Sequence, residues 1–209
     1  MRRESSTVVV LIGETGEGLL SRLAASPNVS VARASAPRDG QPGDGESWQP
    51  GWEPGALAMR EAARRRSTYV IVPDDPLAGV AARWQAMWEA PAGKGGAAGF
   101  EEGAGDALAA WRGKQFELPD YYLVVAPARA EQVAPDLYLG PLRAVRPRRV
   151  AVAAVTHGQI EPAQIIATLR SLQHGPWWPP LDELLDATRR FYPGALSETD
   201  SAASAAPIR

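Results

Sequence analysis

Thr7-Val-Val-Val-Leu-Ile12 runs straight into Gly13-Glu-Thr-Gly-Glu-Gly18, and Leu19-Leu-Ser-Arg-Leu23 follows at once. An unbroken aliphatic run without polar alternation reads as a strand covered on both faces. The glycine-punctuated turn behind it opens a helix. No other stretch restricts the chain as much, because a strand buried on both sides needs a layer above it and a layer below it. The open α/β arrangement supplies both.

Further along, apolar runs and helical patterns alternate. Residues 29–34 read as a second strand, nearer an edge, because Val-Ser-Val-Ala-Arg-Ala alternates. Tyr69-Val-Ile-Val72, residues 121–126 and residues 149–155 give strands three to five. Helices are expected over residues 19–25, 54–66, 77–89, 106–112, 162–172 and 181–192, with Pro54 and Pro162 at two of the starts. Residues 128–134 suggest one helical turn. Residues 137–145, broken by Gly140-Pro141, read as a loop or a short extra strand.

Strands alternating with helices imply a mainly parallel sheet. The expected fold is therefore α/β: a doubly wound sheet of about five strands, resembling Rossmann-like or flavodoxin-like folds, with a helical C-terminal extension. Residues 1–175 form the sheet domain in this reading, with flexible loops near 35–54 and 90–105. Residues 176–192 form the extension, and 193–209 a disordered tail.

Composition excludes several classes. The net charge of -2 draws the chain to neither nucleic acid nor an anionic membrane. Without cysteine there are no disulfides, thiolate metal sites or thiol nucleophiles. The longest apolar run is far short of the ~20 residues of a membrane helix, and the N-terminus lacks a secretory pattern. Cytoplasm is the expected compartment. The abundance of Ala, Arg, Gly and Pro fits a high-GC, bacterial genome.

In an open α/β sheet, ligands bind beyond the carboxyl ends of the strands. Those ends place Gly13, Glu14, Thr15, Gly16, Glu17 and Gly18, Asp74 and Asp75, and Thr156 and His157 along one edge. The first group is a candidate ligand loop, since helix N-termini receive anions. It has no Gly-Lys-Ser/Thr, it is not Gly-x-Gly-x-x-Gly, and Glu14 and Glu17 bring negative charge. Glu14, Glu17, Asp74 and Asp75 have the oxygen chemistry that suits Mg²⁺. The acidic ends of strands one and three resemble the layout of phosphoacceptor receiver domains. Gly13 stands where an acid is expected there, and no lysine follows strand five. Asp75-Pro76 is also a good helix cap. His157, with Asp74 or Asp75 as orienter, is the candidate catalytic base, and Thr156 a further ligand-loop residue. No metal site is assigned, and no cofactor is identified.

Seven tryptophans remain. Trp84 and Trp88, four residues apart, suit one helical stripe. Trp177-Trp178, bracketed by prolines, serve either as a plug for the core or as a partner-binding surface. Arg143, Arg146, Arg148 and Arg149 flank the start of strand five as a solvated rim or a site for an acidic partner. The expectation from these features is a non-catalytic binding or scaffold module with a protein partner or homo-oligomeric state. The alternative is a small-molecule or nucleotide-handling enzyme with its site at the carboxyl ends of the strands, using a divalent metal if phosphates are involved.

Overall fold

The computed structural model describes residues 6–13, 15–34, 51–89, 96–127, 136–155 and 160–192. Five strands, β1 (Thr7–Ile12), β2 (Val29–Val31), β3 (Tyr69–Val72), β4 (Tyr121–Pro127) and β5 (Val150–Val155), form one all-parallel sheet in the order β2-β3-β1-β4-β5. The helices are α1 (Glu17–Ala24), α2 (Glu53–Ala62), α3 (Ala78–Glu89), α4 (Gly96–Arg112), α5 (Arg143–Val145), α6 (Pro162–Arg170) and α7 (Leu181–Arg189). They cover both faces, as the doubly wound class requires. The strand order is a third arrangement, beside the 3-2-1-4-5 and 2-1-3-4-5 orders of Rossmann- and flavodoxin-type sheets. Here β3, not β2, lies next to β1.

The period-2 alternation of β1 and β4 sorts their side chains into two cores. Val9, Leu11, Tyr121 and Leu123 face Leu19, Leu20 and Leu23 of α1 and Ile165 and Leu169 of α6. Val10, Tyr122 and Val124 face the other layer, built from α2, α3, α4, α7 and residues 137–142. That layer carries the large aromatics. Trp84 meets Phe100 edge-on at 5.4 Å between ring centres, and Tyr122 meets Trp178 at 5.7 Å.

Two stretches differ from the sequence reading. Residues 96–105, expected to be loop, belong to the 17-residue helix α4. Its buried Phe100, Ala104, Ala107 and Ala110 recur at helical spacing, and their contact with the core outweighs the weak propensity of four glycines. Residues 138–142, expected to be loop or strand, form a π-helical turn leading into α5. Pro141 has no N–H to give. The turn widens around it, and Leu142 N–H donates to Leu137 O at 3.0 Å. No helix among the described residues is long and apolar enough to cross a membrane.

Candidate functional site

The carboxyl edge is built first by Gly13. It holds φ +120°, and a Cβ there would stand 2.8 Å from the Val125 carbonyl oxygen and 3.1 Å from the Val125 Cβ. Glycine is therefore required where the chain leaves β1 and presses against the end of β4. The β1 connection runs to the α1 face, whereas the chains leaving β3 and β4 run to the opposite face. The crevice where ligands enter such sheets thus adjoins β1. On its β4 side Gly13 lies close against Val125 at the end of β4.

Gly16 caps α1 with its own carbonyl, which accepts from Leu19 N–H at 3.0 Å and Leu20 N–H at 3.2 Å. A Cβ at Gly16 or Gly18 would meet nothing within 4 Å, so the described neighbours impose no need for glycine there. Gly13 and Gly18 have the spacing of the phosphate-loop pattern G-x-x-x-x-G-K-[ST]. At the two positions that should carry lysine and a hydroxyl stand Leu19 and Leu20, both buried in the α1 core. The ammonium and hydroxyl that such a loop directs at phosphate and Mg²⁺ are replaced by core methyl groups. Glu17 is exposed and accepts from Arg33, just beyond β2, so this cation is already paired. Thr15 is half-buried at the turn.

Asp74 and Asp75 point to different jobs. The Asp74 carboxylate accepts the Ala34 N–H at 3.0 Å and ties the chain beyond β2 to the end of β3. Asp75 turns inward and is 5% exposed. Its carboxylate accepts from the Tyr122 hydroxyl at 3.2 Å, from the Tyr138 hydroxyl at a shorter separation, and from Leu77 N–H. Its carbonyl accepts Ala78 N–H at the start of α3. Burial pushes the Asp75 carboxyl up to about 6, against the three hydrogen bonds that favour its charge. Burial and the facing carboxylate push both tyrosine hydroxyls up as well. Gly55 of α2 seals the outside: a Cβ there would lie 2.1 Å from Pro76 N. The result is an enclosed polar knot under α2.

Glu14, Thr156 and His157 lie outside the described residues. Among the described residues no group of three His, Asp or Glu side chains converges in a way that could hold a metal ion. A cleft of about 240 Å³ opens between the N-terminal ends of α2 and α3 and the flank of α4, lined by Trp52, Glu53, Gly79, Arg83 and Asp106 among others. Arg83 there is shared between Glu102 at 3.9 Å and Asp106 at 4.0 Å. The sequence pointed to Trp52 only as a core or partner-surface tryptophan, and it did not single out Arg83, Tyr122 or Tyr138. None sits in a motif, and the only signal for the tyrosines was their inward position beside apolar neighbours.

The opposite edge holds the arginines. Arg149 is buried, and its guanidinium donates to Pro176 O at 3.0 Å, Gly175 O at 2.8 Å and Asp120 O at 3.2 Å. It lies over the rings of Tyr121 at 4.9 Å and Trp177 at 4.6 Å. Arg146 donates to Trp177 O at 2.7 Å. These two cations are internal fasteners for the 175–178 segment, which corrects the solvated-rim or partner-site reading for Arg146 and Arg149, while Arg143 and Arg148 are exposed. Trp178 is 4% exposed, donates its indole N–H to Pro119 O at 2.9 Å, and is core. Trp177 is half-buried, with Arg149 on its ring.

Comparison with known proteins matches the chain to no family model, no curated protein and no solved structure. What its residues do therefore rests on their geometry.

Proposed function

We propose that the chain is a non-catalytic α/β binding or scaffold module that acts through protein–protein contacts. One observation carries this reading: β5 is a six-residue edge strand, Val-Ala-Val-Ala-Ala-Val, with no charge, no proline and no described segment hydrogen-bonded along its outer side. Natural sheets guard such edges with charge, proline, bulges or shortness, and a long apolar edge is a template for another strand. On the carboxyl edge, Gly13, Asp74 and Asp75 each have a sufficient structural task, and Leu19 replaces the lysine a phosphate loop needs. Cytoplasm suits a chain without cysteine.

Two measurements test it. Amide hydrogen exchange in dilute protein should leave Val152 and Ala154 unprotected while Ala151 and Ala153, bonded to β4, are protected. Equal protection at all four would remove the supporting observation. A thermal-shift series with nucleotides, sugar phosphates and Mg²⁺ should show no movement, and a saturable rise with any of them overturns the non-catalytic reading.

A second reading, a small-molecule-handling enzyme, is favoured by one feature. The cleft reaches Pro76, next to an aspartate titrating near neutrality.

A further inference from the structure

The cleft of about 240 Å³ lies at the carboxyl edge of the sheet, because α2 and α3 both begin there. Open α/β folds take their ligands on that edge. Three helices wall the cleft. Trp52 stands at the head of α2 with its ring stacked on Phe116 at 6.5 Å, and buried Val80 of α3 and Ala107 of α4 continue the apolar wall. Two glycines make room for charged groups. A Cβ on Gly103 would stand 2.7 Å from Arg83 Cδ and from a guanidinium nitrogen, so any other residue on α4 there would push Arg83 out of its present place. A Cβ on Gly51 would stand 2.1 Å from Glu53 Oε2, because the Glu53 side chain folds back across residue 51.

We infer that this cleft binds a small zwitterion, an α-amino acid with an aliphatic side chain. Charge decides the class. Arg83, 24% exposed, is the cation of the recess. Asp106, 64% exposed, and the exposed Glu53 stand at the rim, and Glu102 lies 3.9 Å from Arg83. A plain anion meets three carboxylates in and beside the cleft. A plain amine meets the guanidinium and the positive first turns of α2 and α3. An uncharged guest strips water from these groups and returns nothing. A molecule that carries both signs a few ångströms apart answers both.

The ligand carboxylate sits on the Arg83 guanidinium, whose planar donors match it, beside Gly79 and Val80 in the first turn of α3. Its ammonium faces Asp106 and Glu53 at the mouth. Arg83 and Asp106 are 4.0 Å apart, too far for a hydrogen bond, so a guest between them exchanges one long contact for two shorter ones. Its side chain lies on Trp52, Val80 and Ala107. Size agrees with the charge argument. Pockets for drug-sized ligands span roughly 300–1,000 Å³, so this cleft is too small for a nucleotide. It has room for about eight water-sized groups at ~30 Å³ each, close to the size of leucine. The inference is of binding alone, with no bond made or broken, and it goes beyond the protein-contact reading because the cleft lies away from β5.

Isothermal titration calorimetry of the full chain with L-leucine should show saturable binding with a Kd below ~1 mM. Isoamylamine, which lacks the carboxylate, and isocaproate, which lacks the ammonium, should each bind at least ~10-fold more weakly. Arg83→Gln should weaken leucine binding at least ~10-fold yet strengthen that of isoamylamine. Asp106→Asn should weaken leucine yet strengthen isocaproate. Those crossed effects are ones that a misfolded variant does not give. No saturable heat from L-leucine up to ~10 mM, amine or acid binding as tightly as leucine, or leucine affinity unmoved by both substitutions would overturn the inference. Nucleotides, sugar phosphates and Mg²⁺ play no part in this titration. Its failure therefore leaves the non-catalytic reading standing, and the thermal-shift series judges that reading separately.

Discussion

The two lateral flanks of the sheet are finished in opposite ways. At the β2 flank the last strand is three residues long, Arg33 follows at once and is paired with Glu17, and one carboxylate, Asp74, pins the departing chain. At the β5 flank the last strand is twice as long and uncharged along its side, yet its amino end is held hard. Arg149 spans three backbone carbonyls, and Trp178 is driven into the core beside Tyr122. One flank is short and guarded, the other long, anchored and, among the described residues, open. Shortness, a following charge and one carboxylate together guard β2. A long edge strand without charge or proline has fewer local restraints, and a clamp at one end holds it in register without covering its side.

The largest effect should come from breaking the anchor. Trp178→Ala removes a buried indole, its T-shaped contact with Tyr122 and its hydrogen bond to Pro119 O. The expected loss is about 3–5 kcal/mol of unfolding free energy, measured by urea denaturation. Unfolding should begin at β5 and α7, with amide protection there falling before that of β2 and β3. If β2 loses protection first, the anchor is not what stabilises the open flank.

Asp75 lies between the flanks and sharpens the comparison as a reference that touches neither edge. Its folded carboxyl titrates at about 6, against an ordinary 3.8, because burial disfavours its charge. The folded state therefore gains from Asp75 fully below pH 3.8 and loses that gain as pH rises through 6, by about 3 kcal/mol in all. Wild-type stability should thus decline from pH 4 to 7 by a sizeable part of that amount. Asp75→Asn, which keeps an acceptor for the tyrosines, should flatten this slope. A slope that survives the substitution would assign the titration to another group.

Asp74→Ala should cost about 1–2 kcal/mol, the value of a carboxylate acceptor withdrawn from a part-buried N–H. Amide exchange at Ala34 should quicken, with β5 unaffected. An equal loosening of both flanks would mean that they are not independently fastened.

How much of this was legible in the sequence depended on whether the signal was local. The unbroken Val8–Ile12 run identified β1 as a strand with both faces covered, and it lies at the sheet centre. Periodicity says nothing about neighbours, so the placing of β3 rather than β2 beside β1 was out of reach. Residues 96–105 were misread because glycine masked a spacing, Phe100-Ala104-Ala107, that was already there. Arg149 looked like a surface charge because nothing near it shows that Gly175 and Pro176 return to bind it. Of the candidate site, Asp74 and Asp75 were correctly placed at a strand end. That one faces a backbone amide and the other a pair of tyrosines depends on Tyr138, 63 residues from Asp75.

The smallest effect is expected where the anchored flank is fastened a second time, at the far end of α7. Arg189 donates to both carboxylate oxygens of Glu101 on α4, at 2.8 and 2.6 Å, and the Tyr192 hydroxyl donates to the same group. The hydrogen-bonded Arg189 guanidinium holds the Glu101 carboxyl down at about 2, below its ordinary 4.5. The sign is opposite to that of Asp75: this contribution is present above pH 4.5 and is lost as pH falls through 2. Glu101 is 41% exposed, so solvent screens the pair and the stabilisation is under ~1 kcal/mol. Glu101→Gln should lower the urea midpoint slightly at pH 7, and the difference from wild type should vanish near pH 2. High salt should shrink it at any pH. A loss from Glu101→Gln as large as that from Trp178→Ala would mean that α7 is held chiefly at its carboxyl end, and the clamp under β5 would no longer be the principal fastener of the open flank.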